Sequence, residues 1–153
     1  MIQIKTKRVL GFTLIEVLIF VSLLSIIFIT FAALTTVTIR WSKINEHKII
    51  ASHNIEEIRE WLRGQKEADF TGFIGKEGSW CFNSHEYPAG YSNWVLSSDP
   101  SCDHSLDGIY KRTVVLANQD SDRKVLVSLH IDWNEGTQYF TIDERTLFSL
   151  YEI

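Results

Sequence analysis

From Phe12 to Ile39 the only charged side chain is Glu16, and the 23 residues from Val17 to Ile39 carry no charge at all. A carboxylate at the depth of a bilayer costs several kcal/mol unless something pairs with it or it snorkels to the headgroups. Glu16 is therefore the first residue that asks for a function. Other candidates for chemistry are weaker. Asp99, Asp103 and Asp107 recur every four residues near Cys102. Oxygen ligands on a loop suit Ca²⁺, but the spacing is not that of an EF-hand, and a solvated acidic loop is the ordinary reading. His47, His53, His85, His104 and His130 form no His-Glu-x-x-His signature and read as solvated side chains. Ser101 and Ser105 flank Asp103-His104, yet the members of a catalytic triad come from separate loops rather than adjacent positions. Neither a Gly-x-Ser-x-Gly elbow, nor a phosphate loop, nor a dinucleotide fingerprint is present. No catalytic set and no cofactor are expected. Trp80, Tyr87, Tyr91 and Trp94 have the residue types of a stacking platform for sugars or single-stranded nucleic acid. The competing role is packing a long loop over a sheet. The net charge of −4 and the lack of a Lys/Arg cluster among these aromatics argue against nucleic acid as a partner.

The element that must position Glu16 is a helix. A spanning helix needs about 20 apolar residues, and the stretch from Phe12 to Ile39 exceeds that without Pro or Gly. Lys5, Lys7 and Arg8 precede it, and Arg40 and Lys43 follow it. By the positive-inside rule the N-terminus stays cytoplasmic and the C-terminal body is exported. A cleaved secretory signal would have an apolar core of about 7–15 residues, and here Ala32-Ala33 falls before the run has ended.

The helix is expected to continue beyond the apolar run. Ile44, Ala51, Ile55, Ile58 and Leu62 form one apolar stripe, with Glu and Arg on other faces and Gly64 as the stop. That makes one helix of about 52 residues, roughly 78 Å long at the usual rise. Residues 65–108, with seven Gly and Pro residues among them, read as loop. Cys81 and Cys102 are the two cysteines, and in an oxidising compartment an even count favours a bridge over two buried thiols. Beyond the loop come strands at 109–117, 124–133 and 137–143, with 147–151 extending the sheet. In the second, Val125, Val127, Leu129, Ile131 and Trp133 share one face. Asn134-Glu135-Gly136 is the hairpin turn. The fold class is α+β: a long N-terminal helix, apolar then amphipathic, packed on a small antiparallel sheet.

Gly11-Phe12-Thr13-Leu14-Ile15-Glu16, with its basic leader and apolar sequel, resembles the N-terminal processing signal of type IV prepilins and pseudopilins. The resemblance implies cleavage by a prepilin peptidase between Gly11 and Phe12 and N-methylation of Phe12. It implies that Glu16 fixes the register of subunit assembly by pairing with a neighbouring subunit's new amine. It also implies a pilin fold. The strands are similar, more loosely, to the sheet of minor pilins and minor pseudopilins. Many major pilins carry a Pro in mid-helix where this chain has Ala33, which favours a minor subunit. The expected organisation is a leader at 1–11, a transmembrane half-helix at 12–39, and an amphipathic half-helix at 40–64. A stapled loop at 65–108 and a β-meander at 109–153 complete it. Loss of the leader takes the formal charge from −4 to −7. The implied partners are the peptidase, other pilin or pseudopilin subunits and the inner membrane. The implied setting is a type IV pilus or a type II secretion system. A pilus-tip binding module (an adhesin or DNA-uptake subunit) that uses the aromatic loop is the competing class.

Overall fold

The structure, a computed structural model, describes residues 13–119 and 123–150. The leader, Gly11, Phe12 and the expected strand end at Tyr151 lie outside the described residues. The chain divides into two units, Met1–Lys43 and Ile44–Ile153.

Helix α1 spans Leu14–Ala68. In the first unit it is apolar on every side and its large side chains are exposed. In the second unit it is one-sided. Ile44, Ala51, Ile55, Ile58 and Leu62 are buried, the stripe expected from their spacing. Gly64 does not stop the helix. Leu62 and Lys66 are both buried on either side of it, so packing continues for another turn. The Tyr91 hydroxyl then meets the carbonyls of Gln65 and Asp69, each at 3.0 Å. Each of these carbonyls also accepts a backbone amide, from Asp69 and Phe73 respectively, so Tyr91 braces the chain where α1 ends.

The stripe packs on a five-stranded antiparallel sheet of order β2-β1-β3-β4-β5. Its strands are β1 (Gly78–Cys81), β2 (Val95–Leu96), β3 (Tyr110–Gln119), β4 (Lys124–Glu135) and β5 (Gln138–Ser149). Strict alternation puts Tyr110, Arg112, Val114 and Leu116 of β3 on the buried face. Val125, Val127, Leu129, Ile131 and Trp133 of β4 lie there too, as their spacing requires. The β4–β5 hairpin turns on Gly136-Thr137, with Gly136 at φ +61°, a conformation that glycine adopts without steric cost. The strands expected at 137–143 and 147–151 are one strand within the described residues, because β4 is long enough to pair with all of β5.

The stretch 65–108 is not all loop. It holds helix α2 (Phe70–Ile74), β1, a 3-10 turn at Tyr91–Asn93 and β2. These elements are two to five residues long, too short to leave a periodic signature. Tertiary pairing supplies them: β1 pairs with β3 from Gly78–Leu116 to Cys81–Thr113. Asp69 caps α2 by accepting from the Gly72 amide at 2.9 Å, and Phe73 is fully buried.

Candidate functional site

Two places bear on function, one in each unit. In the first, Thr13 starts α1 by accepting from the amides of Glu16 and Val17 through its carbonyl. Glu16 is thus in the first turn, exposed, where a negative charge complements the helix dipole. The six hydroxyl side chains from Ser22 to Thr38 all donate to a carbonyl three or four residues back. Ser22 bonds Ile19, Ser25 bonds Val21, and Thr30 bonds Ile26 and Ile27. Thr35, Thr36 and Thr38 bond Phe31, Ala32 and Leu34. Each polar group is satisfied inside the helix, which is what hydrocarbon requires of it. This helix near the N-terminus is long and apolar enough to cross a membrane. The back-bonds could not be read from composition, but the i−4 reach of Ser and Thr in a helix would have foretold them.

In the second unit, Cys81 and Cys102 form a disulfide with Cα atoms 5.8 Å apart. The bridge ties β1 to the segment that precedes β3. Between the two cysteines the aromatic side chains turn inward. Trp94 is buried and meets Trp61, Trp80, Phe82 and Tyr91 with ring centroids 5.2–5.6 Å apart. Tyr87 stacks on Trp61 at 4.8 Å. Of the residues that had the composition of a ligand platform, Trp94 is in the core of the head and Trp80, Tyr87 and Tyr91 are half-buried against it. Trp61, which organises them, adjoins Leu62 on the helix but stands outside the sequence stripe. A shallow cleft of about 280 Å³ beside the disulfide is lined by Phe82, Asn83, Ser84, Glu86 and Ser101, among others.

The second unit also buries a charge. Arg112 is fully buried and donates to three carbonyls: Nε to Phe82 at 2.9 Å, NH1 to Asn54 at 2.7 Å and NH2 to Ser84 at 2.9 Å. A buried guanidinium is tolerated only when its donors are met. Glu57 lies 3.6 Å away and supplies the opposite charge, and the Tyr87 ring sits 5.3 Å from the guanidinium carbon. Burial pushes the Tyr87 hydroxyl up to about 12. Arg112 thereby joins α1, β3 and the loop after β1. Its sequence signal is its inward position between Tyr110 and Val114, where alternation demands an apolar residue.

His85 continues this network. It meets Glu57 at 2.9 Å through Nδ1 and Asp107 at 3.0 Å through Nε2. The hydrogen bond to Asp107, then that to Glu57, raises its pKa. Asp107 also accepts from Asn54 at 3.0 Å, and that bond, followed by His85, lowers its pKa. Three other histidines contact carboxylates: His47 with Glu135 at 2.6 Å, His104 with Asp132 at 2.7 Å and His130 with Asp143 at 2.5 Å. The reading of these four as merely solvated is corrected. Carboxylates outnumber cations in this unit, and cross-strand or helix–loop proximity finds them a partner.

The three candidate calcium aspartates do not converge. Asp99 accepts from the Ser101 amide and hydroxyl at 2.9 and 2.7 Å, which lowers its pKa. The Asp103 carbonyl accepts from Asn83, and Asp107 belongs to the His85 network. Among the described residues no group of three or more His, Cys, Asp or Glu side chains is arranged to hold a metal ion. Ser101 and His104 likewise turn to different partners, Asp99 and Asp132. No family model, curated protein or solved structure matches the chain.

Proposed function

We propose that this chain is a subunit of a type IV pilin-like assembly, a minor pilin or a type II secretion minor pseudopilin with a structural role. The observation that carries the reading is a coincidence on one helix. The Gly11-Phe12 motif with Glu16 precedes and opens a helix whose described first half is apolar and exposed and whose second half is the spine of a folded head. A prepilin peptidase cleaves after Gly11, and the methylated Phe12 amine keeps its positive charge. Glu16 of one subunit pairs with that amine on its neighbour, so that each charge lowers the other's cost in an apolar setting. The protein is anchored in the inner membrane with its head exported, where an oxidising compartment keeps Cys81–Cys102 closed. The packing of the loop aromatics on and around Trp94 favours assembly over ligand binding at a tip.

Mass spectrometry of the membrane fraction tests the reading. The mature chain should begin at Phe12 and carry one added methyl group. An intact Met1 in cells with active peptidase would overturn it. Glu16→Ala should leave cleavage and insertion intact and prevent incorporation into filaments or pseudopili. Normal incorporation of that variant would refute the pairing.

A further inference from the structure

We propose that the free edge of β5 pairs, antiparallel and about a two-fold axis at Glu144, with the same edge of a second copy of this chain. Among the described residues β5 is the last strand of the sheet, and β4 is its only strand partner. From Phe140 to Phe148 the backbone groups on its other side have no partner among the described residues. A long unpaired edge without Pro is a template for another strand.

Charge selects the occupant and the register. Residues directly opposite in an antiparallel pair share a face, so a copy of β5 can meet itself only in steps of two. Centred on Asp143, the register sets two aspartates opposite each other. Centred on Arg145, it sets two arginines opposite each other. Centred on Glu144, it sets Asp143 opposite Arg145 of the second copy, twice, by symmetry. It also sets Thr141 opposite Leu147 and Phe140 opposite Phe148. The charges are placed to serve this pairing. Arg145 is exposed and has no ion-pair partner among the described residues. Asp143 engages His130 and Thr141 through Oδ1 alone. The two Glu144 side chains that meet on the axis are each held by their own Arg59, at 2.7 Å. Opposite charges directly across a strand pair are favourable and like charges are not. Such an isologous contact is closed and narrow, so the dimer should be weak and concentration-dependent.

Engineered cysteines read the register in the full chain, in membranes. Among the described residues the wild-type protein has no free cysteine. The double variant Thr141→Cys/Leu147→Cys should form a disulfide-linked dimer on mild oxidation. Opposed residues lie about 4.5–5.5 Å apart between Cα atoms, within disulfide reach. Each single variant should give at least about tenfold less, since Thr141 of the two copies would be six positions, roughly 20 Å, apart. In that double-cysteine background Asp143→Arg or Arg145→Asp should each reduce the dimer about tenfold, and the two together should restore it. Equal yields from the single and double variants, or no response to the charge exchange, would overturn the proposal. Crosslinks only to other proteins would also overturn it and give the edge to a different chain. None of these results depends on cleavage after Gly11, so failure here is distinct from failure of the proposed function.

Discussion

The two halves of α1 are built from one continuous helix and solve opposite problems. Between Leu14 and Ile39 the apolar residues cover every face and stay exposed, and the hydroxyls bond their own backbone. Between Ile44 and Lys66 one apolar stripe, Ile44, Ala51, Ile55, Ile58 and Leu62, is buried under a sheet, while Ile49 and Ile50 lie off it and are exposed. The comparison teaches that burial, not hydrophobicity, separates the two. Ile27 is 63 % exposed and Ile58 is 0 % exposed, although the residue is the same. The first half needs an apolar solvent from outside the chain. The second makes its own.

Removing the first half should give the largest effect. A chain beginning at Trp41 should stay in solution after ultracentrifugation without detergent, whereas the full chain should sediment with membranes. A truncated chain that remained detergent-dependent would mean that the head, and not only the helix, exposes a membrane-seeking surface.

Single side chains should show the same division at smaller scale. Ile58→Ala empties a fully buried site in the core of the head and should cost about 2–5 kcal/mol of head stability in denaturant unfolding. Ile27→Ala should leave the unfolding midpoint of the head unchanged, since no head residue is lost. A comparable loss from both would erase the distinction between the halves.

The stripe, the sheet and the disulfide were legible in the sequence because each has a period or a count behind it. Ile44 to Leu62 follow the helix repeat, Val125 to Trp133 alternate, and the two cysteines have only each other. What escaped was set by single contacts at long sequence separation. β1 exists because β3 pairs with it. Arg112 is inward because the carbonyls of Asn54, Phe82 and Ser84 wait for it. The His85 partners come from residues 28 and 22 positions away. Of the candidate assembly residues, Glu16 lies in the first turn of α1, and Gly11 and Phe12 lie outside the described residues.

That polar network gives the head a pH dependence that the apolar half cannot have. The His85 pKa is raised, so its pairing stabilises fully below the unfolded value near 6.5 and is lost as pH rises through the folded value. The Asp107 pKa is lowered, so its share is present above about 3.9 and is lost as pH falls through the folded value. The side chain of His85 is half exposed, and solvent screens the pairs, so the effect should be modest. Melting temperature should fall as pH rises from 6 to 8, a span that brackets the ordinary histidine value of about 6.5. His85→Gln should flatten that slope. An unchanged slope would assign the dependence to another of the histidine–carboxylate pairs.

The smallest effect concerns the end of the helix, where local chemistry and packing disagree. Gly64 has the look of a stop and is instead an interior helical residue, held there by the burial of Leu62 and Lys66. A glycine in that position costs roughly 0.5–1 kcal/mol relative to alanine, much of it through the freedom it gives the unfolded chain. A methyl group added at Gly64 meets no atom within 4 Å. Gly64→Ala should therefore raise head stability by about 0.5–1 kcal/mol, read as a shift of the denaturation midpoint without change of slope. Gly72, eight residues on, is the control. A methyl group there would lie 2.1 Å from a carboxylate oxygen of its own cap, Asp69, and 2.8 Å from the Tyr91 ring. Gly72→Ala should lower stability, because Asp69 must leave the Gly72 amide and Tyr91 must leave the carbonyls of Gln65 and Asp69. Opposite signs at the two glycines would show that packing beyond Leu62, rather than the glycine itself, decides where the helix ends. Destabilisation at Gly64 would mean that the last turn is frayed in solution and that the helix stops where its sequence first suggests.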